Sequence, residues 1–327
     1  MLCIIRQETD PYFNIAAEEY VLKHFSEDCF MLWRNEPCII VGKHQNTLSE
    51  INIDYVKDKQ IKVVRRLSGG GAVFHDLGNL NFTFVANAEP GSNMVDFHKF
   101  TEPILDVLKT LNIHAEFSGR NDLVIDGRKF SGNAEHVFGQ RVLHHGTLLF
   151  SSEMSDLVNA LNVDPSKFTD KAVKSVRSRV TNISEHLSSP LTVLEFRDLI
   201  MKHIIEATPS AEVYTFTQED IDNISKLSAE KYATNEWNFG SSPAYTFRKK
   251  LKTAGGHIEA ALVVENGIII QARLYGDYFH IHDPADIETA LIGVRHEEND
   301  MRRRFADFPL RDYFLNISEN ELIDVLI

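Results

Sequence analysis

The chain has 327 residues, 43% hydrophobic and 25% charged, enough for one large domain with a real apolar core and a smaller second one. Its formal net charge of −13 argues against general nucleic-acid binding, which needs a surplus of lysine and arginine to meet phosphate. Cys3, Cys29 and Cys38 give neither an even disulfide framework nor a CxxC pair, and no apolar run approaches the roughly 20 residues of a membrane span. The expectation is a protein of a reducing, cytoplasmic compartment with no membrane partner.

The elements follow in chain order. "LCIIRQ" predicts a strand and "DPYFNIAAEEYVLKHF" a helix, capped by Asp10, with Pro11 in its first turn and Phe13, Ala17, Tyr20, Val21 and Phe25 on one face. "CFMLWR" and "PCIIVG" read as paired strands broken at Asn35, Glu36 and Pro37. "IKVVRR", "GAVFHD" and "NLNFTFVA" continue the strand-rich pattern, and "VDFHKFTEPILDVLKTLN" reads as a helix with a break at Pro103. In "NDLVIDGRKFSGNAEHV" the pair Asp126-Gly127 separates two extended runs and predicts a hairpin, followed by a strand in "QRVLHHGTLLF". Residues 151–240 read as mostly helical, with an irregular basic stretch "DKAVKSVRSRVTN". The turn-rich "EWNFGSSPAY" marks a boundary near 240, and Asn266-Gly267 predicts a second hairpin beyond it. The fold class is α+β with mixed β-sheets and flanking helices, divided into domains 1–240 and 241–327.

The most unusual stretch is "RRLSGGGAVFHDLGNLNF", residues 65–82. It is no Rossmann fingerprint, because the sixth position counted from Gly69 is Phe74, and it is no P-loop. His144 and His145 are adjacent and so point to opposite faces of a strand, which excludes joint chelation of a metal. Three glycines still let backbone approach a ligand closely, and their N–H groups suit an anion. Of Arg65 and Arg66, one can face a phosphate or carboxylate and the other solvent or a structural carboxylate. The alternative is a plain tight turn beside a solvated arginine pair.

Four blocks in order, "RRLSGGGAVFHDLGNLNFTF" (65–84), "SGRNDLVIDGRKFSGNAEH" (118–136), "HHGTLLF" (144–150) and "SVRSRVTN" (175–182), resemble the lipoate–protein ligase family, with "DPYFNIAAEEYVL" and "EWNFG" fitting as well. The resemblance covers about the whole chain and implies the biotin/lipoate ligase catalytic fold followed by a small α/β C-terminal accessory domain. It implies two half-reactions: lipoate and ATP give lipoyl-AMP and pyrophosphate, then the lipoyl group passes to a specific lysine of an acceptor.

By that resemblance Lys129 is the catalytic residue, its ammonium holding the lipoate carboxylate and the α-phosphate where two anions must meet. Arg65, Gly70, Gly71, Ala72, Val73 and Phe74 would contact the nucleotide or acyl group, and Arg177, Arg179 and Thr181 would close over the adenylate. Ser68, His75 and His145 would sit beside lipoate; for His145 a buried, satisfied histidine is an equally good reading. Asp122 would hold Mg²⁺, or cap a turn. Leu67, Val73, Phe82 and Tyr20 are candidates for the apolar slot. The implied partners are lipoyl domains of 2-oxoacid dehydrogenase complexes and the glycine cleavage H protein, approached by a monomer. Two rivals differ in chemistry. An ATP-independent octanoyl or lipoyl transferase of the same fold needs a nucleophilic thiol, and no cysteine lies beyond Cys38. A non-catalytic nucleotide-binding relative would be expected to lose the lysine or an arginine, and all are present.

Overall fold

The computed structural model describes every residue except 46, 89–94, 154–158, 162–178, 240–246 and 266, with backbone alone at 48, 49, 53, 54 and 57. Most of the basic stretch 170–182, much of the start of the 151–240 span read as mostly helical, the turn at 240–246 and Asn266 of the second predicted hairpin therefore lie outside the described residues. The strands are β1 Leu2–Ile5, β2 Cys29–Trp33, β3 Cys38–Val41, β4 Lys62–Arg65, β5 Val73–His75, β6 Asn79–Asn87 and β7 Ala115–Ser118. They continue with β8 Asp122–Ile125, β9 Arg128–Phe138, β10 Arg141–Leu149, β11 Glu212–Val213, β12 Phe247–Thr253, β13 Gly256–Glu265 and β14 Ile268–Gly276.

The contacts group the chain into two units, one of Met1–Val41, Leu48–Arg65 and Ala72–Asn238, the other of Gly42–Thr47, Arg66–Gly71 and Phe239–Ile327. The first unit holds an eight-stranded mixed sheet in the order β11-β1-β2-β6-β10-β9-β8-β7 and a small sheet β4-β3-β5. The second holds the antiparallel sheet β12-β13-β14, with short helices at Ala285–Leu291, Glu298–Phe305 and Glu319–Leu326 completing its own core around Leu262, Tyr278 and Phe314. The architecture is α+β, as the alternation of strand and helix patterns predicts.

One face of the large sheet carries an aromatic core, Phe30, Phe82, Phe84, Phe130 and Phe150, covered by the helices Phe97–Thr110 and Val193–Ala207 through Ile104, Val107, Phe196 and Ile200. The Phe97–Thr110 helix runs unbroken through Pro103. The break expected there does not occur, because burial of Phe100, Ile104, Val107 and Leu108 on one stripe holds both halves to the same core.

The helix Pro11–His24 starts as predicted, with Asp10 accepting a hydrogen bond from Phe13 N at 3.0 Å and Pro11 in its first turn. It is buried on more than one face, however, because Glu18 and Glu19 are enclosed along with Ile15, Ala17 and Val21. Nor do β2 and β3 pair. β2 lies between β1 and β6, while β3 lies between β4 and β5 in the other sheet. The link between them is drawn to the first helix instead: Asn14 Nδ2 donates to Arg34 O at 2.9 Å and to Asn35 Oδ1 at 2.8 Å.

Glu19 anchors the segment after the Gln218–Leu227 helix. Its carboxylate, only 4% exposed, accepts from Lys23 at 2.6 Å, from Lys231 at 2.7 Å and from the buried Tyr232 hydroxyl. Burial pushes this carboxyl up, but the three hydrogen bonds outweigh it and bring it from 4.5 down to about 2. A lowered carboxyl pKa adds stability that is complete above the unfolded value and is lost as pH falls toward the folded one. Glu19→Gln is therefore expected to cost on the order of 3 kcal/mol at neutral pH. In urea titrations its difference from wild type should close between pH 4.5 and about 2. Tyr232→Phe, which removes one bond to a charged group, should cost about 1.5–3 kcal/mol in the same titrations at pH 7.

Candidate functional site

The site is built on the β8–β9 hairpin. Asp126 and Gly127 both take positive φ, 50° and 72°, as a two-residue hairpin turn requires, and they put Ile125 opposite Arg128. The register then shifts. Val124 faces Lys129 but Leu123 faces Ser131, so Phe130 is an extra residue. Such a bulge twists the strand and re-aims its side chains. Here Lys129, Phe130, Ser131 and Gly132 all reach the wall of one cavity of about 510 Å³.

Other segments close the same cavity. Ala72 comes just before β5 and Val73 and Phe74 from its start, Asp122 and Val124 from β8, Thr147 and Leu149 from β10, and Arg179 and Val180 from the described end of the basic stretch. That segment runs alongside Lys129 as a short parallel bridge: Lys129 N donates to Arg179 O at 2.7 Å and Thr181 N donates to Lys129 O at 2.9 Å. Both backbone groups of Lys129 are therefore tied. Its ammonium lies 2.7 Å from Asp122 Oδ1, with the side chains 39% and 37% exposed. An ion pair this open is worth about 0–1 kcal/mol, so an arriving anion can replace Asp122 at little cost.

The structure thus brings together six of the residues singled out from the sequence, Ala72, Val73, Phe74, Asp122, Lys129 and Arg179. Others in the same unit lie elsewhere. Arg65 is buried, and its guanidinium donates to Trp237 O and Asn238 O, both at 3.0 Å, so backbone carbonyls take up donors expected to face a phosphate. His75 meets Asn35, and Tyr20 donates its hydroxyl to Asp220. His145 is buried against Glu18 at 2.9 Å, the satisfied histidine of the alternative reading. The Thr181 hydroxyl is engaged by Glu185 and His186, and Phe82 is core. Arg177 lies outside the described residues.

Ser68, Gly70, Gly71 and Leu67 belong to the second unit. There the glycine run folds around its own arginine. Arg66, expected to face solvent or a carboxylate, is buried and donates to Ser68 Oγ at 3.0 Å, Gly69 O at 2.6 Å and Gly71 O at 2.9 Å. Gly70 has φ 88°, which explains a glycine at the centre of the turn.

Several wall residues went unnoticed in the sequence: Ser131, Gly132, Thr147, Val124, Phe130 and Leu149. Alternation along β9 and β10 would have found some of them, but the bulge at Phe130 breaks the period. None of the three cysteines lines the cavity. All are buried, and burial pushes the Cys29 thiol up to about 12 and the Cys38 thiol higher still, which leaves no reactive thiolate for acyl transfer. Among the described residues no group of three or more His, Cys, Asp or Glu side chains could hold a metal, and no helix is long and apolar enough to cross a membrane.

Residues 10–205 match the family described as lipoyl protein ligase A/B catalytic domain, and residues 242–326 match the bacterial lipoate protein ligase C-terminus. Lipoate–protein ligase 1 of Staphylococcus aureus is 43% identical over 97% of each chain, and lipoate-protein ligase LplJ of Bacillus subtilis is 41% identical over the full length of both. Among solved structures, P. falciparum LipL1 in complex with lipoate superposes with a TM-score of 0.80 at 25% identity, covering 99% of this chain and 97% of that one. With two successive family matches and relatives above 40% identity from end to end, this chain belongs to the lipoate–protein ligase family and is an enzyme of that class.

Proposed function

We propose that the cavity around Lys129 is where this ligase joins lipoate first to AMP and then to the acceptor. An amide does not form from a carboxylate and an ammonium without activation, and ATP supplies it. A lipoate oxygen attacks the α-phosphorus, the bond to the bridging oxygen breaks, and pyrophosphate leaves. The neutral amine of the acceptor lysine then attacks the carbonyl carbon, AMP leaves with the bonding pair, and the nitrogen sheds a proton.

The observation that carries the reading is the ammonium of Lys129 in the cavity, tied through both backbone groups and held, among the described residues, by an exposed ion pair to Asp122. A preorganised positive charge is what two approaching anions need, and it serves again on the carbonyl oxygen of the anhydride. Arg179 adds a second cation, and Ala72, Val73 and Phe74 would lie along the nucleotide or acyl chain. The apolar walls from Val124, Phe130, Leu149 and Leu161 suit the hydrocarbon and dithiolane parts of lipoate. Mg²⁺ carried on ATP phosphates needs only one or two protein carboxylates, and Asp122 would be one, freed when the phosphates take over Lys129. Arg65, His75, His145 and Thr181 support the walls in this reading, since each is engaged within the protein. Gly70, Gly71, Ser68 and Arg177 would keep the nucleotide and lipoate contacts that their motifs imply. We further propose a catalytic domain of 1–240 with an accessory domain of 241–327, in a cytoplasmic monomer. Its acceptors would be lipoyl domains of 2-oxoacid dehydrogenase complexes and the glycine cleavage H protein.

Lipoate-dependent ATP–pyrophosphate exchange tests the site without an acceptor. Lys129→Ala should lower it by about 10²–10³-fold with the melting temperature unchanged, and wild-type exchange in that variant would remove Lys129 from the chemistry. Gly132 gives a second test. A Cβ there would stand 2.8 Å from Lys129 Nζ and 3.0 Å from its Cε, so the flexible lysine head must move while the backbone need not. Gly132→Ala should change stability by less than about 0.5 kcal/mol yet cut exchange at least about tenfold.

A further inference from the structure

Behind the cavity wall runs a buried polar chain that the half-reactions do not use. Ser131, whose side of β9 lines the cavity, accepts from Asn133 Nδ2 at 3.2 Å. The same amide nitrogen donates to Asn121 O at 3.1 Å, one residue before the Asp122 that pairs with Lys129. Asn133 Oδ1 lies 3.3 Å from His144 Nε2, and His144 Nδ1 lies 2.8 Å from Glu135 Oε1. Glu135 Oε2 accepts from Asp96 N at 3.1 Å. His144 is fully buried, and Glu135 and Asn133 are each 3% exposed. The glycine after the histidine pair belongs to the same device, because a Cβ on Gly146 would overlap Asn133 Oδ1 and the Phe82 ring.

Hydrogen-bond accounting assigns the protons. Both hydrogens of the Asn133 amide are taken by Ser131 and Asn121, so its oxygen faces His144 and needs a donor. Nε2 must therefore carry hydrogen, and one further proton must lie between Nδ1 and the Glu135 carboxyl. If that proton leaves, Nδ1 takes the ring hydrogen to satisfy the carboxylate, and a bare Nε2 is left facing the Asn133 oxygen.

Resting on the ligase reading for its purpose, we infer that Glu135 and His144 share one buried proton that locks Asn133, and that Asn133 is thereby the positioning residue for the Ser131 hydroxyl and the 121–122 backbone in the cavity wall. The surroundings favour the neutral form of the pair. Phe82, Phe97 and Phe100 pack around the imidazole, and Asp96 and His145 are the titratable neighbours that act on it. Burial pushes the Glu135 carboxyl up to about 8 against the hydrogen bond from Asp96 N, with the Asp96 charge adding a smaller push upward, and burial holds His144 well below its ordinary value.

Glu135→Gln is the discriminating variant. Its amide nitrogen can donate to His144 Nδ1, its oxygen can accept from Asp96 N, and it cannot ionise. With ¹⁵N-labelled histidine, the wild-type protein should show His144 protonated at Nε2 at neutral pH and lose that signal as pH rises past about 8, while Glu135→Gln keeps it throughout. In lipoate-dependent ATP–pyrophosphate exchange the wild-type kcat should fall over the same range and that of Glu135→Gln should not. Glu135→Ala should lower kcat about tenfold at neutral pH, with KM for ATP within about twofold. A neutral His144 bare at Nε2 at neutral pH overturns the inference, as does a Glu135→Gln pH profile identical to wild type. A wild-type protein without any exchange would instead overturn the ligase site, and the imidazole signal would still decide where the proton lies.

Discussion

The site depends on one constraint, the fixed seat of an ammonium on a bulged strand. A lysine head on four methylenes is ordinarily mobile, and mobility is what catalysis of a reaction between two anions cannot tolerate. Here the backbone of Lys129 is tied through both N and O to residues 179 and 181, while the Phe130 bulge turns four successive residues toward one cavity. Asp122 holds the charged head, and because that pair is half open its loss to an arriving anion would be inexpensive. A buried ion pair in its place would be costly to break and would oppose substrate binding.

Elsewhere the polar groups are buried deeply, and they do a different job. Glu19 gathers Lys23, Lys231 and Tyr232, while Arg65 reaches the carbonyls of Trp237 and Asn238. Both fasten the segment 228–238 to strands and a helix far away in sequence. These contacts are specific because a buried charge without its partners is expensive, so the segment has one place to lie. The same logic applies to Arg66, which gathers the oxygens of its own glycine turn. Two adjacent arginines, one expected to face a ligand and the other solvent or a carboxylate, are thus both employed in holding backbone.

The histidine pair shows how far alternation along a strand carries. Opposite faces for His144 and His145 followed from strand geometry alone. What each meets did not follow: His145 finds Glu18 on the first helix, and His144 finds Glu135 on the neighbouring strand. Both glutamates are enclosed, in positions where composition alone would place them at the surface.

The sequence by itself determined what local chemistry dictates. The Asp126-Gly127 turn, the Asp10 and Pro11 start of the first helix, the strand-rich first half and the ordered blocks around Lys129 were legible, because turn conformations, caps and motif spacing are properties of a few neighbouring residues. Only the tertiary structure decided that β2 and β3 part into different sheets, that the helix continues through Pro103, that segments 42–47 and 66–71 join the second unit, and that a single extra residue in β9 gathers the cavity wall. Each of these turns on a balance between a weak local preference and burial or hydrogen bonding against residues tens to hundreds of positions away. Such partners leave no trace in the spacing of the residues they bind.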